Sequence, residues 1–480
     1  MDVTSAAPAL RTRSAAGRGT LLAAILASGM VFLDSTVVNV ALPRLGAELD
    51  ATVAGLQWTV NGYLLMLAAF VLLGGALGDR FGRRRIFLLG VVWFAVASVL
   101  CGLAQGTGWL IAARFLQGAG GALLTPGSLS VLQASFHPDD RGRAIGTWSG
   151  LSGVSTALGP LVGGWLIDAL SWRWIFFVNL PLAVGVVLAA MRWVPESRDE
   201  AVSRTGGHGG FDVAGALLGA LALGGITYAL IDAPARGAAP AVLVAAVVGL
   251  AAVAAFVLVE RRRGDRAMLP TGLFSSRLFS VLNIFTVVVY AALGGFTFFL
   301  AVYLQNVVGW SALLTGLATV PMTLLLLVGS PRAGALSARI GPRLPLTVGP
   351  VVAAAGLLLL RRVGPGASYW VDVLPGVALF GAGLTLVVAP LTTSVLGAVA
   401  DRFAGVASGF NNAASRAGGL LAVAALPLLV GLSGTGYEQK SALADAYRGA
   451  LLWCACLLLA GALLAALLIH RPRGKGGAPS

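Results

Sequence analysis

Three ionisable side chains fall inside runs of apolar residues, where charge costs far more than it does in water. Asp34 lies near the middle of the helix-like stretch VFLDSTVVNVALPRLG, residues 31–46. An ionised Asp at the centre of a membrane helix costs about 2.5–3.5 kcal/mol. Protonation removes that cost, so an acid embedded in lipid is suited to loading and releasing protons. The alternative is structural: an Asp that hydrogen-bonds a neighbouring helix through partners of the Ser35, Thr36 or Asn39 type. Arg114 is the sole charge in LIAARFLQGAGGALLTPG. A guanidinium cannot usefully give up its proton. It can instead bias the protonation of a nearby acid, or hold backbone carbonyls and so lock two helices. Gly118 and Gly121 follow on the same helical face with Gln117 beside them, which leaves room for another helix or a solute. The third charge, Arg416, lies in NNAASRAGG, residues 411–419.

Two further stretches combine spacing with a physical role. STALGPLVGG sets Ser155, Gly159 and Gly163 four residues apart, the spacing that lets membrane helices approach closely. Pro160 within it removes a backbone donor and bends or stiffens the helix. GGALGDRFGRRRIF joins the turn-forming Gly78 and Gly82 to Asp79 and a basic cluster. An acid at a helix end can accept hydrogen bonds from a facing helix N-terminus and pair with Arg80 or a distant Arg. Such a charge lock breaks and re-forms when halves of a protein rock; a loop serving topology alone would explain Arg83 to Arg85 but not the Gly-Asp-Arg arrangement. Enzyme chemistry finds no support. Neither Lys440 nor Lys475 sits in a Gly-Lys-Ser/Thr phosphate loop, and His137, His208 and His470 form no ligand cluster. Cys101 stands alone, while Cys454 and Cys456 point to different faces of one helix, so no disulfide or metal site is implied.

The elements that must position these residues follow from composition. The 480 residues are 58% hydrophobic and 11% charged, where soluble domains carry about 25% charged residues, and the mean hydropathy is +0.88. The chain reads as an all-α polytopic membrane protein, whose unit is the run of about 20 apolar residues that crosses the hydrocarbon. Fourteen such runs are predicted, at 19–42, 57–78, 86–105, 109–133, 143–167, 173–193, 211–231, 239–259, 278–304, 312–333, 344–361, 371–398, 404–430 and 449–469. Arg11, Arg13 and Arg18 ahead of the first could mark a signal peptide, whose apolar region spans about 7–15 residues. This run continues past Val40, so a retained helix is expected.

The net charge of +14 reports orientation, not a nucleic-acid partner. Of the 33 basic residues, 24 fall in the N-terminal tail, the even-to-odd loops and the C-terminal tail, and seven in the other loops. That asymmetry is the positive-inside pattern and predicts that both termini are cytoplasmic.

An internal echo divides the chain. GALGDRFGRR from Gly75 matches GALSARIGPR from Gly334, and GAGGALL at Gly118 and GRAIG at Gly142 face GAGLTL at Gly381 and GVASG at Gly405. Two related six-helix halves with an inserted pair are predicted, the arrangement of many secondary transporters. The expected organisation is a cytoplasmic tail (1–18), an N-terminal six-helix bundle (19–193), a Gly-rich linker (194–210), an inserted helix pair (211–260), a second linker (261–276), a C-terminal six-helix bundle (277–470) and a tail (471–480).

At these residues the chain resembles the major facilitator superfamily, and within it the fourteen-helix drug:proton antiporters. LDSTVVNVALP (33–43) is similar to that family's first-helix motif, and GALGDRFGRR (75–84), with Gly75, Gly78, Asp79, Arg80, Gly82, Arg83 and Arg84, to the superfamily loop between helices two and three. RFLQGAGGA (114–122) resembles the fourth-helix motif. GPLVGG (159–164), with Gly159, Pro160, Gly163 and Gly164, resembles the antiporter motif of helix five; WRWIFFVNLP (172–181) and NNAASRAGG also look like family patterns. Ser155 replaces the usual Gly, a small-for-small change. Ala338 stands where the second-half loop would repeat Asp79, so a charge lock should be lopsided.

The resemblance implies a major facilitator fold and proton-coupled export of a lipophilic small molecule by alternating access, with Asp34 and Arg114 in the coupling roles. The proton is the coupling ion, and no cofactor, nucleic acid or obligate protein partner is implied. Asn39, Gln117, Gly118, Gly121, Ser155, Asn411 and Arg416 are candidates to line the substrate cavity. Asp34 is the only acid deep in any run; a dication would need a second carboxylate, so neutral or monovalent substrates are expected. Two rivals stand: a proton symporter importing a sugar or organic anion, and a receptor or scaffold that transports nothing. The Arg-rich, Gly/Ala-rich composition suggests a GC-rich bacterial genome.

Overall fold

The structure is a computed structural model and describes residues 10–198, 212–264, 269, 271–400 and 403–469. Residues 1–9 of the expected N-terminal tail, residues 199–210 of the 194–210 linker with His208, and the basic tail beyond residue 469 with His470 lie outside them.

Fourteen long helices run through the described residues. They are α1 (Ala15–Glu48), α2 (Val53–Phe81), α3 (Arg83–Gly102), α4 (Thr107–Ser135), α5 (Pro138–Ala169), α6 (Trp174–Trp193), α7 (Val213–Arg236), α8 (Pro240–Arg263), α9 (Arg277–Val308), α10 (Ala312–Ile340), α11 (Arg343–Leu360), α12 (Tyr369–Gly397), α13 (Ala404–Leu429) and α14 (Lys440–Leu468). All but α4 are both long enough and apolar enough to cross a membrane. α4 has 29 residues, but Arg114, Gln117 and its glycines lower its hydropathy. A helix can carry such residues through lipid only by burying them against its neighbours.

The two halves repeat one packing plan. In α1–α6, α1 packs on α5 and α6 while α4 packs on α2 and α3; in α9–α14, α9 packs on α13 and α14 while α12 packs on α10 and α11. The halves meet where α2 lies on α13 and α5 on α10, the same two repeat positions exchanged. α7 and α8 are the inserted pair. α7 lies against α2 and α13, α8 packs on α7, and the outer face of α8 presents Val244, Val247 and Leu250 outward.

Glycine permits the closest crossings. A Cβ at Gly163 would lie 2.0 Å from Val37 Cγ2, one at Gly159 would lie 2.0 Å from Thr36 Oγ1, and one at Gly164 would lie 2.6 Å from Ala312 O. The glycine face of α5 therefore seats α1 within its own half and, on the next residue, α10 of the other half. This is the small-residue contact that substitutes for hydrophobic drive between helices in lipid.

Hydrogen bonds between the halves gather at the end opposite the chain termini. Gln57 Nε2 donates to Val423 O (2.7 Å) and Ala424 O (3.0 Å), and Gln305 Nε2 to Val40 O (2.9 Å). Tyr437 Oη donates to Ala51 O (2.7 Å), Val53 N to Gly434 O (2.7 Å), and Asp168 accepts from the first amides of α10 at Ala312 and Leu313. An acid at a helix N-terminus satisfies donors that have no partner inside the helix. Towards the terminal end, Gly142, Gly146 and Gly150 of α5 and Gly405 of α13 have nothing near them. The hydrogen bonds hold the two halves together at the far end.

Candidate coupling site

Asp34 and Arg114 come together in the interior of the N-terminal half. Arg114 Nη1 donates to Asp34 Oδ2 at 2.5 Å, and the two residues are 1% and 0% exposed. Gln117, one turn beyond Arg114 on α4, donates from Nε2 to Asp34 Oδ1 (2.8 Å) and accepts from Arg114 Nη1 (2.6 Å). Asn179 of α6 reaches the same Oδ1 at 3.4 Å, and both Asn179 (3.0 Å) and Gln117 (3.2 Å) donate to Ser98 Oγ on α3. Ser98 in turn donates to Phe176 O at 2.8 Å. Arg114 Nε donates to Thr59 O of α2 (3.0 Å), and its guanidinium lies 4.3 Å from the Tyr63 ring centre, a cation–π contact. Five helices thus converge on one ion pair.

The local sequence accounts for this placement. Ser35, Thr36 and Asn39 do not hold Asp34 but bond back to their own helix, at Phe32 O, at Phe32 and Leu33 O, and at Ser35 O. Asp34 is left to partners on other helices. It also faces into the N-terminal bundle, towards α3, α4 and α6, and not into the gap between the halves.

The other candidates divide. Gln117 belongs to the ion-pair network. Gly118 and Gly121 do not line a space for a solute: a Cβ at Gly118 would lie 2.4 Å from Tyr63 O, so α2 fills that face. Ser155 sits against Gly29 of α1 and bonds Leu151 O. Asn411 donates to Asn283 Oδ1 (3.1 Å) and Thr286 Oγ1 (2.7 Å), tying α13 to α9. Arg416 lies 5.9 Å from the ring centre of Phe32 on α1, at the junction of the halves.

In the loop after α2, Asp79 Oδ1 pairs with Arg83 (Nη2 at 2.8 Å, Nε at 2.9 Å). Gly75 and Gly78 lie on the last turns of α2, and Gly82 ends the helix at φ +110°, a conformation that favours glycine. The start of the 194–210 linker, which the sequence did not connect with this loop, completes it. Glu196 accepts from Arg84 N and pairs with Arg85, Ser197 O accepts from Arg83 N, and Arg84 Nη1 donates to Val194 O. These contacts tie Asp79, Arg83, Arg84 and Arg85 to their own half.

Chemically, the buried pair is a charge-neutral unit whose members are both fully engaged. Desolvating two charges is repaid only by close pairing and further hydrogen bonds, and each has them. Removing the charge on Asp34 would leave Arg114 buried with only dipoles for company, a change of several kcal/mol. Protonation here cannot occur without pressure on the packing of α1, α3, α4 and α6.

Two six-helix halves of one packing plan, with a buried ion pair inside the first, form the architecture of a membrane transporter. Residues 24–423 match the Major Facilitator Superfamily, and the chain belongs to that family. It is 37% identical over 415 residues to the tetracenomycin C resistance and export protein of Streptomyces glaucescens, covering 86% of this chain and 75% of that one. It is 36% identical over 412 residues to the multidrug resistance protein Stp of Mycobacterium tuberculosis, covering 85% and 74%. Its fold matches that of a bacterial homologue of the human lysosomal transporter Spinster, with TM-score 0.66 at 18% identity over 93% and 96% of the two chains.

Proposed function

We propose that the protein is a proton-coupled antiporter that exports lipophilic small molecules across the bacterial cell membrane, both termini lying in the cytoplasm. The similarity to resistance and export proteins supports a drug or antibiotic as cargo. The observation that carries the coupling is the Asp34–Arg114 pair, where neutralising the acid would disturb contacts among the five helices that meet there. Basic residues clustered at the terminal end support the orientation. In that orientation the hydrogen-bonded far end faces outside.

Transport then runs as follows. Cargo enters from the cytoplasmic end. The halves rock about α2–α13 and α5–α10, breaking the far-end hydrogen bonds. A proton arriving from outside neutralises Asp34 and releases Arg114, and its loss to the cytoplasm restores the pair. A potential of 100 mV supplies about 2.3 kcal/mol per net charge moved, worth roughly a 50-fold gradient. Exchange of one proton for a monovalent cation moves no net charge and would draw on the pH difference alone.

Everted vesicles with an acidic interior test this reading. The wild type should accumulate cargo inside them, lose it when a protonophore is added, and fail to accumulate it as Asp34→Asn. Movement out of the acid-loaded vesicles, with the proton, would establish symport instead. Full accumulation by Asp34→Asn would refute the coupling role.

A further inference from the structure

Arg416 sits near the middle of α13 and carries a permanent charge. Its guanidinium lies over the face of Phe32, 5.9 Å from the ring centre, and it has no hydrogen bond or ion pair among the described residues. It faces Phe32 of α1 from α13, which packs on both α2 and α9, so it stands at the junction of the halves. Unlike Arg114 it is only partly buried. The acid that could neutralise it, Asp34, is already held by Arg114, Gln117 and Asn179.

These three deep charges sum to one uncompensated positive charge at the junction of the halves. A charge held in low dielectric is expensive unless paired, and intramembrane ionisable residues otherwise lie in pathways for ions or cargo. The counter-charge is therefore supplied by what binds. Guanidinium is planar and stacks on aromatic faces, and beside the Phe32 ring it offers a flat surface with one cation.

We propose that Arg416 is the binding group for a single negative charge on the cargo, and that the transporter selects flat aromatic acids, carboxylates or phenolates, over their cationic counterparts. This rests on the exporter reading above and adds a charge class to it. Expelling a monoanion while admitting one proton carries two positive charges inward, so both the potential and the pH difference drive export of such cargo.

The test uses three fluorescent probes that share one ring system and differ in charge: 9-anthracenecarboxylate, 9-anthracenecarboxamide and 9-anthrylmethylammonium. Binding is measured on the full-length chain in lipid nanodiscs, and movement in everted vesicles. The wild type should favour the carboxylate over the amide about tenfold, a difference of about 1.4 kcal/mol, and bind the ammonium worst. In Arg416→Gln the carboxylate-to-amide ratio should fall to about one, whereas Arg416→Lys should keep most of it. A wild type that binds the ammonium as tightly as the carboxylate overturns the proposal, with no variant required. So does an unchanged ratio in Arg416→Gln. A ratio that depends on Arg416, with no probe moved under a pH gradient, removes the exporter reading and leaves the anion site standing. Pumping without charge preference does the reverse.

Discussion

Arg114 Nη1 stands 2.5 Å from Asp34 Oδ2 with both side chains shut away from solvent, so each charge depends on the other for compensation. Breaking such a pair from one side should be costly: Asp34→Ala is expected to destabilise the protein by about 3–5 kcal/mol, because Arg114 stays buried and unpaired. The double variant Asp34→Asn with Arg114→Gln should be more stable than the sum of its single effects implies. Thermal unfolding of the four proteins in one detergent measures the coupling; single effects that add to within about 0.5 kcal/mol would mean that the pair does not act as a unit.

Gly163 and Gly142 lie on the same helix and should respond oppositely to added volume. A Cβ at Gly163 would meet Val37 Cγ2 at 2.0 Å, whereas Gly142 has nothing within 4 Å. Gly163→Val should cost about 1–3 kcal/mol or more through overpacking and abolish transport by holding α5 off α1. Gly142→Ala should stay within about 0.5 kcal/mol of wild type. Equal effects on membrane expression and thermal stability would contradict the close α1–α5 crossing.

Tyr437 Oη bonds Ala51 O, and Gln57 Nε2 bonds Val423 O and Ala424 O, holding the far end shut. Each such bond is worth about 0.5–1.5 kcal/mol net. Tyr437→Phe and Gln57→Ala together should therefore raise the population open at the far end by roughly tenfold or more. Spin labels at positions 50 and 433, on a background lacking Cys101, Cys454 and Cys456, would report it as a longer distance. An unchanged distribution would mean that other contacts hold this end closed.

Asp212 caps α7, accepting from Gly215 N at 2.6 Å and pairing with Arg263 from the end of α8. Burial acts to raise its proton affinity, but the Gly215 amide, Arg263 and the neighbouring Glu260 carboxyl together outweigh it and hold the carboxyl below the usual range. The sign follows: its stabilisation is complete above the unfolded carboxylate value of about 3.9 and fades as pH falls through the lower folded value. Asp212→Asn should be less stable than wild type at pH 6, by about 0.5–2 kcal/mol for a weakened cap and the lost ion pair, with the gap closing in acid. A gap independent of pH from 6 to 3 would contradict the assignment.

Much of this was legible in the sequence, for a physical reason. Lipid leaves helix as the simplest spanning form for a single segment, and a charge in an apolar run is conspicuous, so the spans, and Asp34 and Arg114 as separate candidates, could be anticipated, whereas their direct pairing could not. The helices extend beyond the apolar runs, as with α1 over Ala15–Glu48 against 19–42, because polar residues at the membrane surface continue the same hydrogen-bond ladder. Less legible were Asn179 and Ser98. Uncharged polar residues are common in membrane helices, and which ones meet an acid depends on how α3 and α6 pack, although Asn179 does lie within WRWIFFVNLP. Gly118 and Gly121 were ambiguous for a related reason: a glycine face serves a neighbouring helix or a ligand equally well until the neighbour is seen. The partner of Asp79 also escaped the sequence, since the acid turns to Arg83 on the next helix while Glu196 arrives from more than a hundred residues away.

The central claim is that the Asp34 carboxyl exchanges a proton as the protein changes the side to which it opens. Infrared difference spectroscopy on protein trapped open to either side reads this without reference to any cargo. The account expects a protonated-carboxyl band in the wild type that differs between the two forms and is missing from Asp34→Asn. Identical spectra for both forms, with Asp34 ionised throughout, would contradict it.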